Sequence, residues 1–300
     1  MDWLTRMNAA LQYIEDNLTG QIDYDELARI ACCSYHNFFR IFSTITDISL
    51  AEYIRRRRLT LAALELRADT KIIDLALKYG YDSPVSFARA FHALHGITPS
   101  EARTGGVSLK AYPRLSFQIS IKGEKEMDYR VETKEAFQLF GIEEVFPAES
   151  ATATENSGIR KPANLWEESH ANGNYVKLDA ASGGRPPFVG SEFDNVHAVC
   201  DYRATEPGTF PYMLCAYRSA GSDIAGYTVV DVPAHTWAIF PTGKFAWEDC
   251  GEVLGQLYKR IFGEWMPTSG YEQVGSLDME LYGGGEDFGL VEVWLAVRKM

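Results

Sequence analysis

The 300-residue chain is short of cysteine. It has five, Cys32, Cys33, Cys200, Cys215 and Cys250, with no C-x-x-C pair and no histidine at metal-ligand spacing from any of them. A zinc module or thioredoxin-like redox centre is therefore not expected, and the adjacent Cys32 and Cys33 would make an awkward disulfide. The thiols are expected to be reduced, with no metal and no cofactor. Long apolar runs are also missing. No stretch reaches the roughly 18 residues that a membrane-spanning helix needs, and no basic-then-apolar leader opens the chain. The expectation is a soluble, cytoplasmic protein without a membrane partner. No Ser-His-Asp, Cys-His or metal constellation stands out, so no catalytic residue is assigned.

Basic charge is scarce, and unevenly so. The net charge is -12. Residues 1–110 hold 13 Lys/Arg and 13 Asp/Glu, which leaves 16 of the 29 basic and 28 of the 41 acidic residues to 111–300. A neutral front half and a strongly acidic rear half imply two kinds of partner. The rear half would repel nucleic acid, so any DNA contact belongs to the front. The length suggests two domains.

The front half is organised around residues 49–67, SLAEYIRRRRLTLAALELR. Ser49-Leu50-Ala51-Glu52 is a capping-box pattern, apolar residues recur at helical spacing, and neither Gly nor Pro interrupts. Helical periodicity also marks 4–18, ending at Gly20. Asp23 caps a helix to about residue 31, and Ser34 caps another over 35–46. Beyond the central helix, Thr70 is expected to cap 71–79, Gly80 to turn the chain, and Ser83-Pro84 to open a helix to about residue 95. Thr98-Pro99-Ser100-Glu101 starts one last turn. The two flanking segments repeat: Phe38, Arg40 and Phe42 match Phe87, Arg89 and Phe91, each 49 positions later. A rigid helix between two helix-turn-helix pairs suits entry into grooves about 34 Å apart on one duplex face. The residues Arg55, Arg56, Arg57 and Arg58 are either phosphate contacts or a solvated helix face. His92 and His95 read as surface or cap residues.

The stretch from Gly80 to Phe91, with Gly96-Ile97-Thr98-Pro99-Ser100 and Arg103, resembles the signature of AraC/XylS-type transcription regulators over residues 4–104. That resemblance implies two helix-turn-helix units reading two consecutive major grooves of double-stranded promoter DNA. Its base-reading positions fall on His36, Asn37, Phe39 and Arg40 in the first unit and on Val85, Ala88 and Arg89 in the second. Asp47 stands where the family usually has Gly. With Pro84, Val85 and Ala88 unable to donate side-chain hydrogen bonds, the stricter sequence demand is expected at the half-site facing residues 35–40. Internal ion pairs of Arg40 and Arg89 are the competing reading.

Gly105-Gly106 begins a join placed at 105–126, in which residues 116–122 alternate like a short strand. The acidic half repeats itself too. Val131 to Phe137 resembles Val230 to Trp237, Val189-Gly190-Ser191 recurs as Val274-Gly275-Ser276, and Tyr212 to Arg218 aligns with Glu292 to Arg298. Helical stretches over 162–172 and 247–264 separate the repeats. The expected fold is multi-domain: an all-α double helix-turn-helix domain (1–104), then an α+β domain (127–300) of two pseudo-repeated strand-helix-strand-strand units, with helices on one face of an antiparallel sheet.

Val189-Gly190, Gly208-Thr209-Phe210-Pro211-Tyr212, the Pro-Ala-x-x-Trp of 233–237 and Val291-Glu292-Val293-Trp294 resemble the GyrI-like effector-binding domain. The resemblance implies a cleft between the repeats for small, cationic or amphipathic molecules, with the central acidic residue at Glu292. Strand alternation puts Val291, Val293, Leu295 and Val297 on one face and Glu292 with Trp294 on the other. Glu280 and Tyr282 are expected to face out with Glu292, and Tyr212 to be its repeat-mate. The candidate ligand set is Glu292, Trp294, Tyr212, Tyr282, Glu280, Trp166 and Trp237. Plain core packing competes for the tryptophans, and a surface or capping role for the carboxylates. Occupancy is expected to alter how the front half engages DNA or RNA polymerase. The rival reading is a small-molecule hydrolase in which Glu280 and Glu292 serve as a general acid/base pair.

Overall fold

The computed structural model describes residues 2–66, 69–118, 126–152, 159–206 and 208–300. Two compact units emerge: residues 1–32 with 48–118, and residues 33–47 with 119–300.

The first unit is helical. Its helices are α1 (Trp3–Asp16), α2 (Tyr24–Ala31), α4 (Leu50–Glu65), α5 (Ile72–Lys78), α6 (Pro84–His95) and the single turn α7 (Pro99–Ala102). The caps explain the starts. Asp2 accepts from the Thr5 N–H, Asp23 from those of Asp25 and Glu26, Ser49 from Glu52 and Ser83 from Ser86. Thr98 and Glu101 form the complete reciprocal box; each such cap contributes about 1 kcal/mol. At Ser49 the box is only half made, because the Glu52 carboxylate is taken by Arg55 (2.7 Å) and Arg56 (2.5 Å). The Thr70 cap does not form. The flanking Lys71 makes no side-chain cap, and the Thr70 hydroxyl donates to the Glu65 carbonyl instead. The central helix ends at Glu65, short of the expected Arg67, because Leu66 is extended; the part of the expected 116–122 strand from 119 on lies outside the described residues.

The core of this unit packs Leu59, Leu75, Tyr79, Phe87, Phe91 and Leu94, all buried. His95 belongs with them rather than on the surface: it is buried against Phe91, with ring centroids 4.3 Å apart. The tetra-arginine run divides its work. Arg57 pairs with Glu15 at 2.8 Å and donates to the Tyr112 carbonyl at 2.6 Å. Arg58 donates to the carbonyls of Leu18 (2.9 Å) and Gly20 (2.8 Å). Gly80 is favoured by its φ of +76°, and a Cβ there would also press on the Arg58 guanidinium at 2.7 Å.

The second unit holds α3 (Tyr35–Thr46), capped by Ser34 and ended by Asp47 in the left-handed conformation (φ 59°). Asp tolerates that backbone better than most residues, which fits its standing in for Gly. The strands are β1 (Arg130–Lys134), β2 (Phe137–Pro147), β3 (His197–Cys200), β4 (Thr209–Tyr217), β5 (Thr228–Val232), β6 (His235–Pro241), β7 (Tyr271–Gly284) and β8 (Gly289–Lys299). Among the described residues they form one antiparallel sheet in the order β1-β6-β8-β7-β3-β4-β2-β5. The pseudo-repeat is visible in that order. β2-β4-β3 mirrors β6-β8-β7, the halves meet at β3 and β7, and each half lends its first strand to the other, β1 to β6 and β5 to β2. Each repeat thus opens with two consecutive strands where the sequence suggested one, and the two pair with strands of the other repeat rather than with each other.

Helices α8 (Pro162–Ala171), α9 (Asn174–Ala181) and α10 (Cys250–Arg260) accompany the sheet. The second expected helix, 247–264, is interrupted: a 3-10 turn over Trp247–Asp249 precedes α10, and a π turn over Ile261–Trp265 follows it. Leu165 and Leu178, from α8 and α9, pack on Phe140, Phe146, Ala198, Phe210, Tyr212 and Leu214, which mark the helix-covered face. The opposite face packs Val199, Met213, Cys215, Trp237, Met279 and Trp294. Gly141 on β2 lets β4 approach, since a Cβ there would fall 1.8 Å from the Leu214 carbonyl oxygen. Among the described residues, no helix is long and apolar enough to cross a membrane.

Candidate functional site

Directly paired residues on antiparallel strands project to the same face. In the β7–β8 pair Glu280 sits opposite Val293 and Tyr282 opposite Val291, while Met279 and Leu281 oppose Trp294 and Glu292. Glu280 and Tyr282 therefore share the helix-covered face with the valines, and Glu292 and Trp294 project the other way. This corrects the expectation that Glu280 and Tyr282 face out with Glu292. Alternation within a strand was legible, but the register between strands inverts the assignment. Across β3, Glu280 opposes Ala198 and Tyr212 opposes Cys200, so Tyr212 also lies on the helix side, away from Glu292.

The candidate set consequently splits. Trp166, Tyr212, Tyr282 and Glu280 line a cavity of about 660 Å3 over the β3–β7 junction, where the two repeats meet, roofed by residues of α8, α10 and α3. The Trp166 indole N–H donates to the Tyr212 hydroxyl at 2.8 Å, and the Trp166 and Tyr282 rings lie 4.7 Å apart. The Tyr282 hydroxyl donates to Glu280 Oε2 at 2.6 Å. Tyr258 of α10 reaches both carboxylates on β7, Asp278 Oδ2 at 2.8 Å and Glu280 Oε1 at 3.0 Å. Burial pushes the Glu280 carboxyl above its usual range; the hydrogen bond from Tyr282 opposes the shift, and the neighbouring Asp278 adds to it.

Glu292, Trp294 and Trp237 are not part of this cavity. Glu292 is buried and takes a two-pronged hydrogen bond from Arg130, at 2.5 and 2.8 Å, and a third from the Trp294 indole at 2.9 Å. Lys134 Nζ stands 5.5 Å from the Trp294 ring, and Trp237 is fully buried 5.9 Å from it. A carboxylate among aromatics does exist there, but the protein's own cations already answer it. Because Glu280 and Glu292 occupy opposite faces of one sheet, they cannot act as an acid/base pair on one substrate, which removes the geometry of the hydrolase reading.

The DNA-reading positions also divide. On α6, Val85 and Arg89 are exposed and Ala88 is half-buried; Arg89 makes no ion pair among the described residues. On α3, His36, Asn37 and Phe39 are buried. His36 stacks on Phe210 at 3.8 Å, and Asn37 donates to Gln273 at 2.9 Å. Arg40 pairs with Asp278 at 2.5 Å, the competing reading for that residue. Sequence reasoning missed Asp278 and Tyr258. A signal for the first was available, because Asp278 lies two residues before Glu280 on an alternating strand and so must share its face.

Paired helices preceding an antiparallel sheet with a helix-roofed aromatic cavity define a DNA-binding regulator joined to a small-molecule-binding domain. The helix-turn-helix domain family matches residues 27–105, and the family described as integron-associated effector binding protein matches residues 130–297. Among relatives, the HTH-type transcriptional activator AarP of Providencia stuartii is 44% identical over 91 residues, 30% of this chain and 67% of that protein. The transposon Tn10 TetD protein of Escherichia coli is 43% identical over 100 residues, 33% of this chain and 72% of that protein. A solved structure of SAV2435 bound to tetraphenylphosphonium is 18% identical, with a TM-score of 0.44, covering 57% of this chain and 94% of that one. The chain belongs to the AraC-type transcription regulators that carry an integron-associated, GyrI-like effector-binding domain. It is a DNA-binding transcription regulator that senses a small molecule.

Proposed function

We propose that the sensed molecule is a small lipophilic cation, held in the cavity on the helix side of the sheet, and that the chain is a one-component regulator without catalytic activity. The division of labour is residues 1–104 on promoter DNA across two consecutive major grooves, 105–126 as the join, and 127–300 for the effector. On α6, Val85, Ala88 and Arg89 meet the DNA; on α3, His36, Asn37, Phe39 and Arg40 do so only once released from their contacts with Phe210, Gln273 and Asp278. RNA polymerase is the further partner, and the cytoplasm the location.

The observation that carries the ligand class is Glu280. Its carboxyl lines the cavity, only partly exposed, beside Trp166, Tyr212 and Tyr282, with Glu167, Asp194 and Arg40 also on the lining. A desolvated carboxylate and electron-rich ring faces together favour a cation stripped of water, by about 2 kcal/mol or more per good ring contact. The cavity volume is of the size that takes a drug-sized ligand.

The test is calorimetric titration of the full chain with methyltriphenylphosphonium and with triphenylphosphine oxide, which has the same three rings but no charge. The cation should bind at least about tenfold more tightly. Glu280→Gln should erase that preference, whereas Glu292→Gln should leave it, since that carboxylate serves Arg130. Equal binding of the two compounds, or dependence on Glu292 instead, overturns the assignment.

A further inference from the structure

The residues of α3 that the sequence singles out for reading DNA are engaged within their own compact unit, and the contacts form a row. Ser34 Oγ donates to Asp201 at 2.8 Å, Asn37 to Gln273 at 2.9 Å and Arg40 to Asp278 at 2.5 Å, and Lys259 pairs with Asp47 at 2.5 Å. Arg40 is the most enclosed of these cations. Its side chain is 13% exposed and that of Asp278 1%. The guanidinium lies 5.2 Å from the Tyr258 ring centroid and 5.7 Å from that of Phe262. It lines the same cavity as Glu280, Trp166 and Tyr212. A carboxylate pair from one strand face with aromatic rings around a delocalised cation is the chemistry that an organic cation would meet. Here the chain supplies the cation itself.

The fit is incomplete in a telling way. Among the described residues, Arg40 Nε is buried without an acceptor, Asp278 Oδ1 without a donor, and neither ring nitrogen of His36 has a partner. A guanidinium built permanently into a core would be expected to satisfy these groups. Arg40 also donates to Asn37 Oδ1 at 3.2 Å, so its pair with Asp278 is the ionic contact that an entering cation would replace.

We propose that Arg40 is the resident cation of the effector cavity, a stand-in for the ligand, so that effector and Arg40 compete for the cavity and effector binding frees α3 for DNA. An organic cation entering beside Glu280 and Asp278 displaces the guanidinium, α3 loses its anchor, and Arg40 becomes available to a guanine edge or phosphate. One guanidinium cannot lie on Asp278 and on DNA at once. The coupling therefore needs no relay: the ligand favours the released state because it replaces the most enclosed cation of the row that holds the other state. The inference rests on the reading of the cavity as a cation site.

The test uses the full chain and methyltriphenylphosphonium. Arg40→Met keeps the apolar stem and removes the charge, and it should tighten cation binding at least tenfold. Arg40→Lys retains a competing charge and should stay within about threefold of wild type. In the wild-type chain, saturating cation should raise hydrogen exchange of the backbone amides of 35–46 by tenfold or more, a measurement that holds even if Arg40→Met does not fold. If the cation binds but Arg40→Met leaves its affinity unchanged or weaker, or if binding slows exchange in 35–46, the competition is overturned while the cation site stands. If no chain binds the cation, the cation reading falls and this inference falls with it.

Discussion

Breaking the Arg40–Asp278 pair one side at a time should cost far more than removing both partners. With the Asp278 side chain 1% exposed and that of Arg40 13%, bulk water solvates neither group well. Asp278→Asn leaves a guanidinium enclosed by Tyr258 and Phe262 with its Nε already lacking an acceptor. Arg40→Met leaves a carboxylate supported only by the Tyr258 hydroxyl at 2.8 Å. Loss of one partner of a buried pair costs about 3–5 kcal/mol, whereas replacing both with neutral groups of similar volume is often close to neutral. With each single variant costing at least about 3 kcal/mol and the double variant near neutral, the double should fall short of the sum of the singles by about 6 kcal/mol, well above the few tenths that independent sites show. Urea unfolding followed by tryptophan fluorescence reads the right unit, because five of the six tryptophans lie beyond residue 160 and only Trp3 lies before it. The cycle should change little between 0.1 and 0.5 M salt, since a buried pair is screened weakly. Single variants that each cost under about 1 kcal/mol and add in the double variant would refute the reasoning.

Gly141→Ala should prevent β2 from pairing with β4, because the new methyl group would lie 1.8 Å from the Leu214 carbonyl. A cost above about 4 kcal/mol, seen as insoluble or unfolded protein by circular dichroism, is expected; a soluble variant with the wild-type midpoint would contradict the register. His197 is fully buried, and burial pulls its pKa from 6.5 down to about 3. Its folded pKa is depressed, so its stability contribution is present above pH 6.5 and is lost as the pH falls toward 3, by about 1.4 kcal/mol per unit. His197→Gln should remove that slope, and identical pH profiles of the two chains would show the assignment wrong. Arg57→Ala should destabilise the helical unit by about 3 kcal/mol in thermal melts, because Arg57 pairs with Glu15 at side-chain exposures of 11% and 8%. The exposed Arg89→Ala should stay within about 0.5 kcal/mol of wild type in stability and instead weaken DNA binding. The reverse pattern would mean that the two arginines have been assigned the wrong roles.

The helical unit was readable because its signals are local. Asp2, Asp23, Ser49, Ser83 and Thr98 cap the helices that follow them using donors within three residues. Thr70 failed as a cap because the helix begins one residue later, at Ile72, which puts Lys71 at the cap position. In the sheet unit the repeat and the alternation of β8 were legible as well. Which strand faces matched was not, since parity within β8 says nothing about its pairing with β7, and a shift of one residue would put Glu292 on the same face as Glu280.

By itself, then, the sequence determined the elements, the repeats, the charge asymmetry between the halves and the chemical types available to each. Tertiary structure alone decided which carboxylate meets the aromatics and what Arg40 touches. The reason is physical. Capping and periodicity are set by residues a turn apart, whereas Arg40 and Asp278 are 238 positions apart and find each other only after an eight-stranded sheet has chosen its register.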